Sequence, residues 1–333
     1  MAVAQLYTAA PGDTITAARW NNEFGNIYNN GTALAFPATT AISLNGQTLT
    51  LDSAGVVSLA GSAGAGILTG DFSVSGNLKA TAALGFYIQG LIQSNGTDAV
   101  NDIDISIGMA TSNDAVQANR RTMTLTSVLT KQLDAAWAVG SGGGGLDTGA
   151  IGNSNYYVWL IMRSDTGVVD ALFSLSSTAP TMPTNYTYKR LIGWFIRVGG
   201  TIVAFKAYEM SGGGLQYLWS VPTADINLAN TLGTTARLDT IRVPVNFSVL
   251  ADITVGLDDA AALMLVQVTC PDIPDIAVGN AGMQVKLQVI GSTSYEYGYI
   301  RTSATGQIRS KCSVATADSY VVITNDFIWD RRN

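Results

Sequence analysis

Apolar residues recur along this chain in two rhythms. Between Thr16 and Tyr28, the residues Trp20, Phe24, Ile27 and Tyr28 fall at i, i+4, i+7 and i+8, one face of a helix. Thr14 or Thr16 can cap its start and Asn30-Gly31 can stop it, so the spacing predicts a short amphipathic helix within residues 1–36. A lone helix of that length is marginal in water. Its aromatic face therefore predicts docking, on another protein or within the chain's own oligomer.

After residue 36 the period changes to that of strands. Ile42-Ser43-Leu44, Asn45-Gly46 and Leu49-Thr50-Leu51 predict a hairpin around a favoured turn, and Phe72-Ser73-Val74 with Ser75-Gly76 forms a similar unit. Between them Ala60-Gly61-Ser62-Ala63-Gly64-Ala65-Gly66 has almost no side-chain bulk. Residues 37–80 have too few large apolar residues for a core of their own. They are either a flexible linker or a thin β stem in which three identical chains intertwine.

Short strands with turn signals fill the remainder. Gly85 to Gln89, Ile103 to Ile107, Thr122 to Thr126, Tyr156 to Met162 and Ile192 to Val198 precede the Val221-Pro222 junction, with Asp165-Thr166-Gly167 and Gly199-Gly200 as turns. Thr240 to Val245, Ala262 to Thr269, Met283 to Ile290, Ser294 to Arg301, Gln307 to Cys312 and Tyr320 to Ile323 follow it. No βαβ alternation occurs. The predicted fold is mostly β: a short N-terminal helix, a thin trimeric stem, and two antiparallel β-sandwich-like domains at 81–220 and 221–333.

Composition narrows the function. Only 13% of the 333 residues are charged, 47% are hydrophobic and 35 are glycine, which gives a neutral polar surface suited to large stable assemblies. With 18 Lys and Arg, a net charge of −6 and no basic patch, nucleic acid is not an expected partner. No run is long enough to predict a membrane helix, and Tyr156 to Met162 and Ala260 to Val268 read as buried strands. The N-terminus lacks the pattern of a secretory leader, so synthesis in a cytoplasm is expected. Cys270 and Cys312, far apart in sequence and without histidine neighbours, are expected to be buried thiols.

The chain contains no histidine, which removes Ser-His-Asp and Cys-His nucleophile systems and His-ligated zinc. Ser141 to Gly145 and Gly212 to Gly214 lack the lysine and hydroxyl residue of a phosphate-binding loop and are expected to be loops, the first a candidate flexible tip. Asp98, Asp102 and Asp104, and Asp258-Asp259, could supply glycosidase carboxylates or calcium ligands, but solvated turns explain them as well. No catalytic residue, metal or cofactor is assigned. Tyr295-Glu296-Tyr297-Gly298-Tyr299 places three tyrosines on one strand face. Such a row either stacks on a receptor glycan or packs in the core or a subunit interface.

Three segments resemble bacteriophage tail fibre and virion fibre proteins. Thr16-Ala17-Ala18-Arg19-Trp20-Asn21 through Asn30-Gly31, followed by Leu49-Thr50-Leu51-Asp52, is similar to the start of such proteins. Gly143 to Gly149, Tyr156 to Ile161, Pro180 to Tyr186 and Lys189 to Gly193 resemble a domain common in phage and prophage fibres. Asp326-Phe327-Ile328-Trp329-Asp330-Arg331-Arg332 resembles their closing tail, although Asp326-Phe327-Ile328 departs from the usual residues before Trp329. The resemblance implies a non-enzymatic homotrimer in the virion. Trp20, Phe24, Ile27 and Tyr28 would dock it to tail, adaptor or portal-region proteins at the tail or head-tail junction. Its β domains would meet a host cell-surface glycan or protein. A capsid-mounted head fibre or decoration protein is the structural alternative. A polysaccharide depolymerase is the enzymatic one, disfavoured because no solenoid repeat occurs.

Overall fold

A computed structural model describes residues 86–229, 231–258, 264–279, 285–289, 294–314 and 319–331. The predicted helix with Trp20, Phe24, Ile27 and Tyr28, and the predicted stem at 37–80, lie outside the described residues. The chain divides into two units, Met1–Phe72 and Ser73–Asn333, and every described strand belongs to the second.

The strands in chain order begin with β1 (Ile88–Gly90), β2 (Gln93–Asn95), β3 (Asp102–Ile105), β4 (Gly108–Thr111), β5 (Thr122–Leu125), β6 (Leu129–Ala136) and β7 (Gly143–Leu146). They continue with β8 (Asn155–Arg163), β9 (Val169–Ser174), β10 (Tyr186–Val198), β11 (Thr201–Ile202), β12 (Phe205–Glu209), β13 (Leu215–Trp219) and β14 (Ala224–Ala229). The last are β15 (Arg237–Thr240), β16 (Leu250–Asp258), β17 (Met264–Thr269), β18 (Val285–Val289), β19 (Ser294–Arg301), β20 (Gln307–Cys312) and β21 (Ser319–Trp329). One 3-10 turn, Gln117–Asn119, is the only helical element among the described residues.

Among the described residues four sheets result: β1-β4-β5; β11-β10-β8-β9-β7-β6-β3-β2; β12-β13-β21-β16-β19, with β14 also on β21; and β15-β20-β17-β18. The mostly β expectation stands. The Val221-Pro222 junction runs through the third sheet, which takes β12 and β13 from before it and β14, β16, β19 and β21 from after it.

An aromatic cluster joins the second and third sheets. Trp194 of β10 meets Phe327 of β21 edge-on at 5.6 Å, and Phe327 stacks on Tyr217 of β13 at 4.9 Å. All three rings are fully buried. The Tyr217 hydroxyl donates to Gln93 Oε1 (2.7 Å) and accepts from the Trp194 amide (3.1 Å), so its polar tip is satisfied inside the core. A Cβ at Gly193 would stand 2.1 Å from that same Gln93 Oε1, which is why the strand carries glycine there.

Several sequence expectations need correction. Gly143–Gly145 is no loop tip: it is part of β7, which runs parallel to both β6 and β9 inside the eight-stranded sheet. A Cβ at Gly144 would lie 2.0 Å from the Ala136 carbonyl, so only glycine permits this approach. The two parallel pairings also make that sheet mixed where purely antiparallel pairing is expected. Thr240 to Val245 is not a strand; pairing ends at Thr240 and the chain turns. Ile103 to Ile107 divides at Ser106, because β3 and β4 join different sheets.

The two cysteines are both buried, and the Cys312 thiol donates to the carbonyls of Leu232 and Val314.

Candidate functional site

Along Leu250–Asp258 apolar residues alternate with polar or small ones. Ala251, Ile253, Val255 and Leu257 are fully buried beneath the third sheet, while Asp252, Thr254 and Gly256 take its other face, where Thr254 and Gly256 are covered as well. On the neighbouring strand β19, Tyr299 lies opposite Asp252, Tyr297 opposite Thr254 and Tyr295 opposite Gly256. Opposed residues of antiparallel strands share a face, so the three tyrosines stand together over β16. Among the described residues β19 is the last strand of its sheet, and the tyrosines are 58%, 70% and 57% exposed in chain order. The structure therefore places Tyr295, Tyr297 and Tyr299 in one solvent-facing row and not in the core.

A β-bulge shapes the floor beside the row. Asp252 pairs with Asp326, but Ile253 pairs with Thr324, so Asn325 is an extra residue on β21. Its amide donates to Thr254 Oγ1 at 2.9 Å and it also hydrogen-bonds the Asp252 carboxylate. Burial pushes the Asp252 carboxyl above its ordinary value; the facing Asp326 adds to this, and the Asn325 bond opposes it. Burial likewise raises Asp326, against a hydrogen bond from Gln216 Nε2 at 2.9 Å.

The next rung leads into a groove. Arg301 lies opposite Leu250, which lies opposite Ile328 on its other side. These three, with Asn246, Phe247, Ser248, Trp329 and Asp330, line a groove of about 520 Å3. Among the described residues Arg301 makes no hydrogen bond or ion pair. The arrangement can stack rings on the tyrosines and present a donor and an acceptor at the end of the row. Among the described residues it contains no nucleophile paired with a base.

The other candidates are structural. Asp102 is buried, and desolvation, then the Asp98 charge, raises its carboxyl. Asp98 Oδ1 accepts from the Val100 amide (3.0 Å) and Asp104 Oδ1 from Thr130 Oγ1 (2.5 Å), so both secure turns and strand pairing. Among the described residues no three Asp, Glu, Cys or His side chains converge as for a metal ion. Asp258 closes β16, and Asp259 lies outside the described residues. Gly212 and Gly213 form a turn with positive φ, as expected.

Two buried charged sites escape the sequence reading. Lys131 meets Asp170 at 3.2 Å, both almost wholly buried, and its ammonium also donates to the carbonyls of Ala138 and Gly140. The Arg331 guanidinium donates to the carbonyls of Gly213 (2.8 Å), Gly90 (3.1 Å), Leu91 (3.2 Å) and Ile192 (3.3 Å). Gly90 and Leu91 both have positive φ, which turns their carbonyls toward it. The closing tail thus ties together three segments distant in sequence. Alternation in Leu250–Asp258 was a signal for the floor of the tyrosine row; nothing local marked Arg331.

No family model matches the chain, and no curated protein is similar enough to it to count as a relative.

Proposed function

We propose that this chain is a structural fibre subunit of a tailed bacteriophage virion. It works as a homotrimer, is anchored through Trp20, Phe24, Ile27 and Tyr28 to tail, adaptor or portal-region proteins, and presents its β domain to a host cell-surface glycan or protein. The observation that supports this most is the exposed row of Tyr295, Tyr297 and Tyr299 on an edge strand. Three large rings held in water on a rigid sheet cost solubility and suit a contact surface. The resemblance of the first 50 residues and the closing tail to fibre proteins points the same way. Function then follows from multivalency, since weak contacts joined rigidly reach an avidity far above each alone.

Light scattering on the purified full-length chain tests the assembly. A mass three times that of the chain is expected; a monomer at micromolar concentration contradicts the intertwined stem. A chain lacking residues 1–36 should stay folded and trimeric yet fail to enter particles. Its incorporation would place the anchor elsewhere.

A further inference from the structure

We propose that the tyrosine row and the adjoining groove bind an uncharged, hydroxyl-rich glycan chain, lying along β19 with one sugar in the groove beside Arg301. The proposal rests on the reading of this face as a host-contact surface and names its ligand. Tyrosines at alternate positions from Tyr295 to Tyr299 span about 14 Å of strand. That length suits a succession of rings rather than one small molecule. Their hydroxyl tips make no hydrogen bond among the described residues, leaving the tips and the solvent-facing sides of the rings for a ligand.

Polar chemistry alongside the rings selects the class. Asp252, oriented by the bulge residue Asn325, offers an acceptor next to Tyr299. Arg301 offers donors one rung further on, where the groove opens. Acceptor and donor side by side match the vicinal hydroxyls of a sugar, each of which donates and accepts. Asp252, the facing Asp326 and the groove residue Asp330 outnumber Arg301, which disfavours an acidic polymer. The groove volume of about 520 Å3 lies within the range of small-ligand sites.

The probe is polysaccharide extracted from the surface of the host bacterium, titrated calorimetrically into the full-length chain. It is used native, after periodate cleavage of vicinal diols, and after reduction of its carboxyl groups. Binding should survive carboxyl reduction and disappear after periodate. Tyr297→Ala and Arg301→Gln, both at exposed positions, should each weaken it by about tenfold or more with the oligomeric mass unchanged. No binding of the native probe, loss of binding on carboxyl reduction, or full binding by Tyr297→Ala would each overturn the proposal. Dissociation of the oligomer by Tyr297→Ala would overturn it too, making the row a subunit interface. Location of the chain on phage particles is read separately: a fibre that carries no glycan affinity defeats only this inference, and glycan binding by a chain absent from particles defeats only the fibre reading.

Discussion

The ring of Tyr295 lies across the bare backbone of Gly256, its partner on the next strand, so closely that a Cβ on the glycine would stand 2.7 Å from Cε1. Glycine in a strand interior carries an entropic cost, which the overlying aromatic ring offsets by covering the exposed backbone. The pairing also sets where the first ring of the row stands.

Gly256→Ala separates these two roles. Tyr295 is largely exposed and can swing away from a new methyl group. Stability by denaturant titration should therefore change by less than about 1 kcal/mol. Attachment to host cells should fall, because the first ring leaves the row. An unchanged adsorption curve would remove Tyr295 from the contact.

Arg331→Lys is expected to be far from conservative. A point charge with a flexible stem cannot reach the four carbonyls that the guanidinium fork meets. Several buried carbonyls would lose their donor, at about 1–3 kcal/mol each when unsatisfied. A loss of roughly 3 kcal/mol or more in unfolding free energy, from denaturant titration, is the expected result, and a loss below about 1 kcal/mol would show the lock to be dispensable.

Gly144→Ala probes the parallel strand β7. Its Cβ would press against the carbonyls of Ala136 (2.0 Å) and Ala135 (2.7 Å), backbone atoms that cannot turn aside. Destabilisation on the order of 3 kcal/mol, or failure to accumulate as soluble protein, is expected. A variant as stable as the parent would mean that β7 does not pair as described.

The Asp252 and Asp326 carboxyls carry a pH signature. Both are held above their ordinary value of 3.8, so the folded chain binds these protons more tightly than the unfolded one. Their contribution to stability is full below about that ordinary value and is lost as pH rises through the raised folded values. Asp326→Asn removes the facing charge from Asp252. It should raise stability at neutral pH relative to the parent and flatten the decline across the mildly acidic range, measured by thermal unfolding at a series of pH values. A steeper decline would contradict the sign.

Legibility in the sequence followed side-chain pattern. Strands with alternating or continuous apolar residues, such as Tyr156 to Met162 and Ser294 to Arg301, were readable, and so was the shared face of the three tyrosines. β7 was not, because three glycines carry no periodicity and their role comes only from the carbonyls that close around them. Asn325 was hidden for a related reason: a bulge shifts the alternation by one residue, and only the partner strand shows where. Arg331 is a polar residue near a chain end and would ordinarily be solvent-exposed; its burial depends on carbonyls from segments 118 to 241 residues away.

The central claim is that this chain is part of a virion fibre. Gold-labelled antibody against the purified chain, viewed on intact phage particles by electron microscopy, tests it most directly. Label on thin fibres projecting from the tail or head-tail junction is the predicted result. Particles without label, from lysates in which the chain remains in the unassembled fraction, would contradict it.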